Sequence, residues 1–295
     1  MTEYATQNDK KYKRMMGLGS LIPWPSKHET VPFEFDCPVH GKQRIEVARW
    51  RADEYKSKDP KTICPECLRI EEERQREEDR IENLRIESLS TVSTLKRIIS
   101  IDKRLPDATF DNYEATTPEQ RRMLAICKRF ADNFVKRIRE DHNADIGLLL
   151  MGNYGTGKSH IASAIVRSVS DQRWGCFYMT ASDLFDYINS VRSFDTTIPD
   201  LLDKISAIRL LVIDEIGVQS WTDAERKRLQ QVIDERERKK HPTIFCTNLT
   251  QDEIKTCCGG RVESRLLDVA YPIPFEWEDH RRKNASGKSQ PEDVF

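Results

Sequence analysis

Eight consecutive residues, Gly152, Asn153, Tyr154, Gly155, Thr156, Gly157, Lys158 and Ser159, read GNYGTGKS and complete a GxxxxGK[ST] pattern. The glycines allow backbone N–H groups to turn inward onto phosphate oxygens, and a following helix N-terminus adds partial positive charge. Lys158 would reach the β- and γ-phosphates of ATP, and the Ser159 hydroxyl would ligate Mg²⁺. A second group of acids, Asp214 and Glu215, ends the apolar run Leu210–Ile213. Asp214 would hold Mg²⁺ directly or through water, and Glu215, one residue further, would polarise an attacking water as general base. With both motifs present, hydrolysis is favoured over nucleotide binding alone. Asn248, at the end of a further apolar run, would touch the γ-phosphate or the lytic water. Arg261 and Arg265 stand one helical turn apart in GGRVESRL, and Arg265 is the stronger candidate for an arginine offered to a neighbour's γ-phosphate.

Cysteine and histidine supply a different chemistry. Cys37-Pro-Val-His40 and Cys64-Pro-Glu-Cys67 are two tight turns of the C-x₂-[CH] kind, the way a zinc ribbon or knuckle presents four ligands to Zn²⁺. Four protein ligands leave no open position, so the spacing predicts a structural site. Ile45 and Val47 between the two turns alternate as a short strand pair would. A module of this size can hardly support itself by a core alone, which makes a metal staple physically reasonable.

The elements that must carry these residues follow from periodicity. Leu148–Met151 reads as a buried parallel strand, and Ile161, Ala164, Ile165 and Val169 at helical spacing follow the loop. Thr117-Pro118 starts a helix expected to run unbroken through Ile138. Strands are expected over 175–180, 208–215 and 243–247, and helices over 181–191, after Pro199, and over 224–240. Arg265 is placed beyond the last strand of the sheet. Residues 68–104 hold no Gly or Pro and pair Glu with Arg at i,i+3 and i,i+4, a solvated helical connector whose apolar positions thicken from Leu84 onward. The expected organisation is a flexible arm (1–30), a zinc-binding module (31–68), the connector (69–105), an α/β ATPase domain with a parallel sheet and flanking helices (106–282), and a disordered tail (283–295).

Composition sets limits on partners. The chain has 295 residues, 33% charged and 38% hydrophobic, with a net charge of −1. Any nucleic-acid contact must therefore come from a local basic surface. No apolar run is long enough for a membrane span, and the first residues lack an apolar signal core. The expectation is a cytoplasmic protein without a membrane partner, whose eight cysteines are reduced.

In this order the pieces resemble the AAA+ ATPase family. More closely, ATFDNY (Ala108–Tyr113), GNYGTGKS, LLVIDEIGVQ (Leu210–Gln219), CTNL (Cys246–Leu249), GRVESRL (Gly260–Leu266) and FEWEDHR (Phe275–Arg281) are similar to the bacterial DnaC/DnaI-type replicative helicase loaders. The resemblance implies an ATP-dependent loader that binds a hexameric replicative DNA helicase, places it on single-stranded DNA, and self-associates through the ATPase domain. It implies that Arg265 is the arginine finger and that Arg281 is a second sensor. A zinc-binding N-terminal module that docks on the helicase resembles the DnaI branch, or phage-encoded relatives. Where such loaders carry a DNA-contacting aromatic after TNL, this chain has Thr250 and Gln251, which leaves Phe185, Tyr187 and Phe194 as the alternative stacking residues. Two other readings stay open: an IstB-like transposition ATPase that remodels a transposase–DNA complex, and a zinc adaptor switched by nucleotide without significant turnover.

Overall fold

The computed structural model describes residues 30–98, 107–140, 146–190 and 197–280. The proposed arm other than Thr30, the tail, Phe194 and Arg281 lie outside these residues. Two compact units divide at Arg76/Glu77.

The first unit opens with an antiparallel pair, β1 (Thr30–Cys37) and β2 (Gly41–Ala48), turned at Gly41, whose φ of +69° lies in the left-handed region that glycine reaches freely. Val47 is buried, while Phe33, Phe35 and Ile45 are half-buried. Two short helices follow, α1 (Ala52–Lys56) and α2 (Pro60–Ile63), the second capped by the Asp59 carboxylate accepting from Lys61 N–H at 2.9 Å. Then α3 (Pro65–Ile98) runs across the division between the units. Its first turns are solvated and laced with Glu–Arg pairs. Beyond Glu77 it buries Ile81, Ser88, Val92 and Leu95, the last at 0% exposure. The Ser88 hydroxyl accepts the Gly175 N–H at 3.0 Å, so the sparse apolar residues of the connector pack within the second unit.

The second unit is a three-layer α/β sandwich. Thr117 caps α4 (Pro118–Asp132) with Gln120 reaching back, a complete capping box. The expected single helix is broken: α5 (Phe134–Glu140) starts afresh after Asn133, whose backbone leaves the helical region. There follow β3 (Gly147–Gly152), α6 (Lys158–Asp171), β4 (Cys176–Thr180), α7 (Ala181–Ser190), α8 (Ile198–Ala207), β5 (Leu210–Ile216), α9 (Asp223–Arg238), β6 (Thr243–Thr247), α10 (Gln251–Cys258), α11 (Gly260–Val269) and β7 (Ala270–Phe275). Five parallel strands lie in the order β4-β5-β6-β3-β7. Successive side chains point to opposite faces. Leu149, Phe177, Met179, Leu211, Ile213 and Phe245 meet α7 to α11 on one face. Leu148, Leu150, Cys176, Leu210, Val212, Ile244 and Cys246 meet α4 to α6 on the other. Both faces are covered, which is why the strands read as continuous apolar runs.

Arg265 does not lie beyond the last strand. β7 follows it and pairs with β3 from Ala270 to Phe275. Its two prolines, Pro272 and Pro274, hide it in the sequence, but β7 is an edge strand, where a missing N–H costs no ladder bond on the outer side. A second unforeseen element is Arg236, fully buried on α9. Its guanidinium donates to the oxygens of Ile205 (3.1 Å), Ile208 (2.7 Å) and Pro242 (2.7 Å) and to Thr243 Oγ1 (2.7 Å), satisfying carbonyls at the C-terminal end of α8. His241, also buried, donates Nδ1–H to Ser206 O at 2.8 Å.

Candidate functional site

The carboxyl ends of β3, β5 and β6 open onto one cleft, lined by Tyr154, Gly155, Thr156, Gly157, Lys158, Ser159, Asp214, Glu215 and Asn248. Gly152 and Asn153 stand behind it, where β3 turns into the loop. A Cβ on Gly152 would meet Phe275 O at 2.4 Å, and one on Gly157, at φ +94°, would meet the Tyr113 ring at 2.5 Å. The loop therefore needs glycine at both positions. Gly157 caps α6 without any side-chain bond, so no capping side chain competes with an anion for the first turn of α6. Lys158 is buried and folds back onto the loop, donating to Gly152 O at 2.9 Å and to Asn153 O. A phosphate chain would take over these bonds.

Asp214 ends the straight part of β5 opposite Thr180 of β4. Its Oδ1 accepts the Glu215 N–H at 2.7 Å, and its Oδ2 accepts the Tyr178 hydroxyl. Burial first, and then the Asp214 charge, push the Tyr178 phenol far above its ordinary range, so it remains a donor. The Cys246 thiol, buried beside the same carboxylate, is raised well above its ordinary value, by burial first. Glu215 sits at φ +58°, and the β5–β6 register shifts between Ile213 and Ile216. A left-handed non-glycine residue costs about 1–3 kcal/mol. Here the turn carries the carboxylate of Glu215 into the cleft. Thr247 holds the turn by donating Oγ1–H to Ile216 O at 2.6 Å while accepting Leu249 N–H at 3.1 Å, which fixes the backbone on both sides of Asn248. Gln219 holds it from the other side, donating to Glu215 O at 2.9 Å and accepting Gly217 N–H at 3.0 Å.

Ser159 and Asp214 are hard oxygen donors, the set that Mg²⁺ takes together with phosphate and water. The residues fit a Mg²⁺–nucleotide. They would hold it with the loop amides and Lys158 on the phosphates, and the metal would supply charge neutralisation there. Tyr113, Trp277, His280 and Gln120 line the other end of the cleft. Tyr113 and Trp277 both donate to Thr156 O, at 3.0 and 2.9 Å, and burial pushes the Tyr113 phenol up to about 12. His280 N–H donates to Gly155 O at 3.0 Å. Two aromatic side chains among polar ones suit a nucleobase.

In the first unit, Cys37, His40, Cys64 and Cys67 bring one ligand atom each within 4.8 Å of the others. His40 Nδ1 lies 3.8, 3.5 and 3.3 Å from the three sulfurs, and Cys37 Sγ lies 3.7 Å from Cys67 Sγ. A tetrahedron with Zn–S bonds of ~2.3 Å has edges of about 3.7 Å, so the set fits zinc. Burial opposes the Cys37 thiolate, but backbone N–H bonds around Val39 and His40 outweigh it and bring the thiol down to about 6. Burial and then the neighbouring Cys37 and Cys64 push Cys67 up to about 11, the crowding that a divalent cation would relieve.

Residues 74–269 match the family described as IstB-like ATP binding protein. The chain belongs to that family. It is 31% identical over 179 residues to the replicative helicase loader DnaC of Buchnera aphidicola subsp. Acyrthosiphon pisum (strain APS), across 60% of this chain and 70% of that protein. It is 26% identical over 255 residues to the uncharacterised protein YdaV of Escherichia coli (strain K12), across 86% of this chain and 88% of that one. A crystal structure of the DnaC helicase loader superposes with a TM-score of 0.52 at 21% identity, over 59% of this chain and 99% of that one, a likeness of AAA+ fold.

Not every residue singled out in this IstB-like chain reaches the cleft. Arg265 lies on α11, half-buried, with Nε 3.3 Å from Asp234 and Nη1 3.4 Å from Glu237 of α9. Arg261 is exposed on the same helix. Phe185 is not available for stacking on bases: it is 4% exposed and packs edge-on against Trp221. Tyr187 is half-buried against the same core. Thr250 caps α10 in a capping box with Glu253, and Gln251 donates to Glu263 at 2.8 Å, so both have structural bonds. Tyr178, Trp277 and Thr247 were missed as site residues. The signal for Tyr178 was a hydroxyl in an otherwise apolar strand, two residues before its end. Among the described residues no helix is long and apolar enough to cross a membrane.

Proposed function

We propose that this IstB-like chain is an ATP-hydrolysing loader that binds a replicative hexameric helicase and places it on single-stranded DNA. The observation that carries the reading is the likeness to DnaC, 31% over 179 residues, beside a cleft onto which Lys158, Ser159, Asp214, Glu215 and Asn248 open together. Lys158 and the loop amides would bind the phosphates of ATP. Ser159 and Asp214 would hold Mg²⁺, and Glu215 would take a proton from the water that attacks the γ-phosphorus. Asn248 would orient that water. Arg265, outside the cleft of its own chain, would complete the cleft of a neighbour. The zinc module and the solvated turns of α3 would hold the helicase, leaving the second unit to nucleotide and DNA.

Size-exclusion chromatography of the full chain with a hexameric replicative helicase tests this. A complex of defined ratio is expected in the presence of ATP. Separate elution with and without nucleotide would overturn it. The match to the IstB-like family favours a second reading, an ATPase that remodels a transposase–DNA complex. Retention of a transposase instead of the helicase under the same conditions selects that reading. ATP binding without turnover in either complex would select the nucleotide-switched adaptor, against which Glu215 at the cleft speaks.

A further inference from the structure

Tyr178 sits in the middle of β4, an interior-facing position that calls for an aliphatic side chain. It faces Val212 across the parallel pairing, and Thr180 faces Asp214. Tyr178 and Asp214 are therefore diagonal neighbours on one face of the sheet, at a separation that a long side chain spans and a short one does not. The phenol delivers its O–H to Asp214 Oδ2. That hydroxyl thus touches a carboxylate assigned to Mg²⁺.

We propose that Tyr178 is a positioning residue that holds the Asp214 carboxylate in the orientation that takes a nucleotide-bound Mg²⁺. The inference rests on the nucleotide reading of the cleft. A carboxylate has about four acceptor sites. Tyr178 O–H and Glu215 N–H fill one on each oxygen and leave the others for the metal or its waters. A neutral donor fixes the carboxylate plane without neutralising its charge, whereas a cationic partner in this position would compete with the metal. Residues that orient metal ligands in this way change metal affinity by about 10- to 100-fold when altered.

The experiment is a Mg²⁺ titration of the full chain, read by the fluorescence of a labelled ADP, with a parallel series in EDTA. Tyr178→Phe removes one oxygen and keeps the ring. The Mg²⁺ concentration at half-effect should rise about 10-fold, while ADP affinity in EDTA stays within about twofold of wild type. Tyr178→Met gives a second measurement of the same midpoint in a side chain of other shape. Tyr178 acts through Asp214, so adding Tyr178→Phe to Asp214→Asn should move the midpoint no further. An unchanged midpoint in the Phe variant, or shifts that add in the double variant, would overturn the positioning role alone. A wild type that binds no labelled ADP overturns the nucleotide reading with it. One that binds it independently of Mg²⁺ removes the metal and the role of Tyr178 together.

Discussion

The indole Nε1–H of Trp277 donates to Thr156 O at 2.9 Å, so the segment after the edge strand is tied to the centre of the phosphate loop. Phe275 O accepts Asn153 N–H at 3.0 Å and His280 N–H reaches Gly155 O at 3.0 Å, which extends the tie along the loop. Replacing Trp277 by Phe keeps an aromatic ring, though a smaller one, and removes the bond, a loss of about 1 kcal/mol. ADP affinity by calorimetry should fall about fivefold, with a larger fall for Trp277→Ala.

Lys158→Ala should abolish nucleotide binding, because the ammonium meets ground-state phosphate. Glu215→Gln should bind ATP as well as wild type and lose turnover, because the carboxylate acts on the attacking water. Binding and phosphate release measured on both variants separate the roles. Full hydrolysis by Glu215→Gln would remove it as the base.

Arg265 reaches Asp234 and Glu237 of its own α9 and lines no part of its own nucleotide cleft. A finger acting in trans should be worth about 10³-fold in turnover or more. Arg265→Ala and Lys158→Ala, each inactive, should regain partial ATPase activity when mixed, since some interfaces pair an intact loop with an intact arginine. Mixed assemblies that never recover activity would place Arg265 outside the reaction.

Metal analysis of the purified chain should give one zinc per molecule and far less for Cys64→Ser. Equal zinc in both would dismiss the four-ligand site. Zinc chelation in excess Mg²⁺ should unfold the first unit while leaving ADP binding by the second unit intact.

His241 is held down at about 3, by burial first and then by the charges of Arg236 and Arg209. Its folded value lies below the ordinary 6.5, so the unfolded chain binds the extra proton. The stabilising effect of the neutral ring is fully present above pH 6.5 and is lost as pH falls toward 3. The slope is at most about 1.4 kcal/mol per pH unit. His241→Asn should therefore show a smaller fall in melting temperature than wild type between pH 7 and about 5, a range in which few carboxylates titrate.

Much of this protein was legible in order along the chain. The phosphate loop is a local backbone conformation, and glycine spacing with Lys158 and Ser159 states it directly. Asp214 and Glu215 follow an apolar run because a strand covered on both faces has no other way to end in water. Cys37-x₂-His40 and Cys64-x₂-Cys67 announce themselves because a metal needs paired turns. Thr117 followed by Pro118 marks a helix start for the same local reason.

What the tertiary structure decided lies across the sheet. Tyr178 meets Asp214 only because β4 pairs with β5 in one particular register, and no spacing along the chain encodes a register. β7 looked unlike a strand because Pro272 and Pro274 are tolerated only at an edge, and edge or centre is a property of the assembled sheet. The buried guanidinium of Arg236 reads in sequence as one more charge on a charged helix. Only the approach of the α8 carbonyls turns it into a core residue. Local spacing specifies backbone shape within a few residues, whereas the partners of a side chain are set by which elements pack together, and that depends on the whole chain at once.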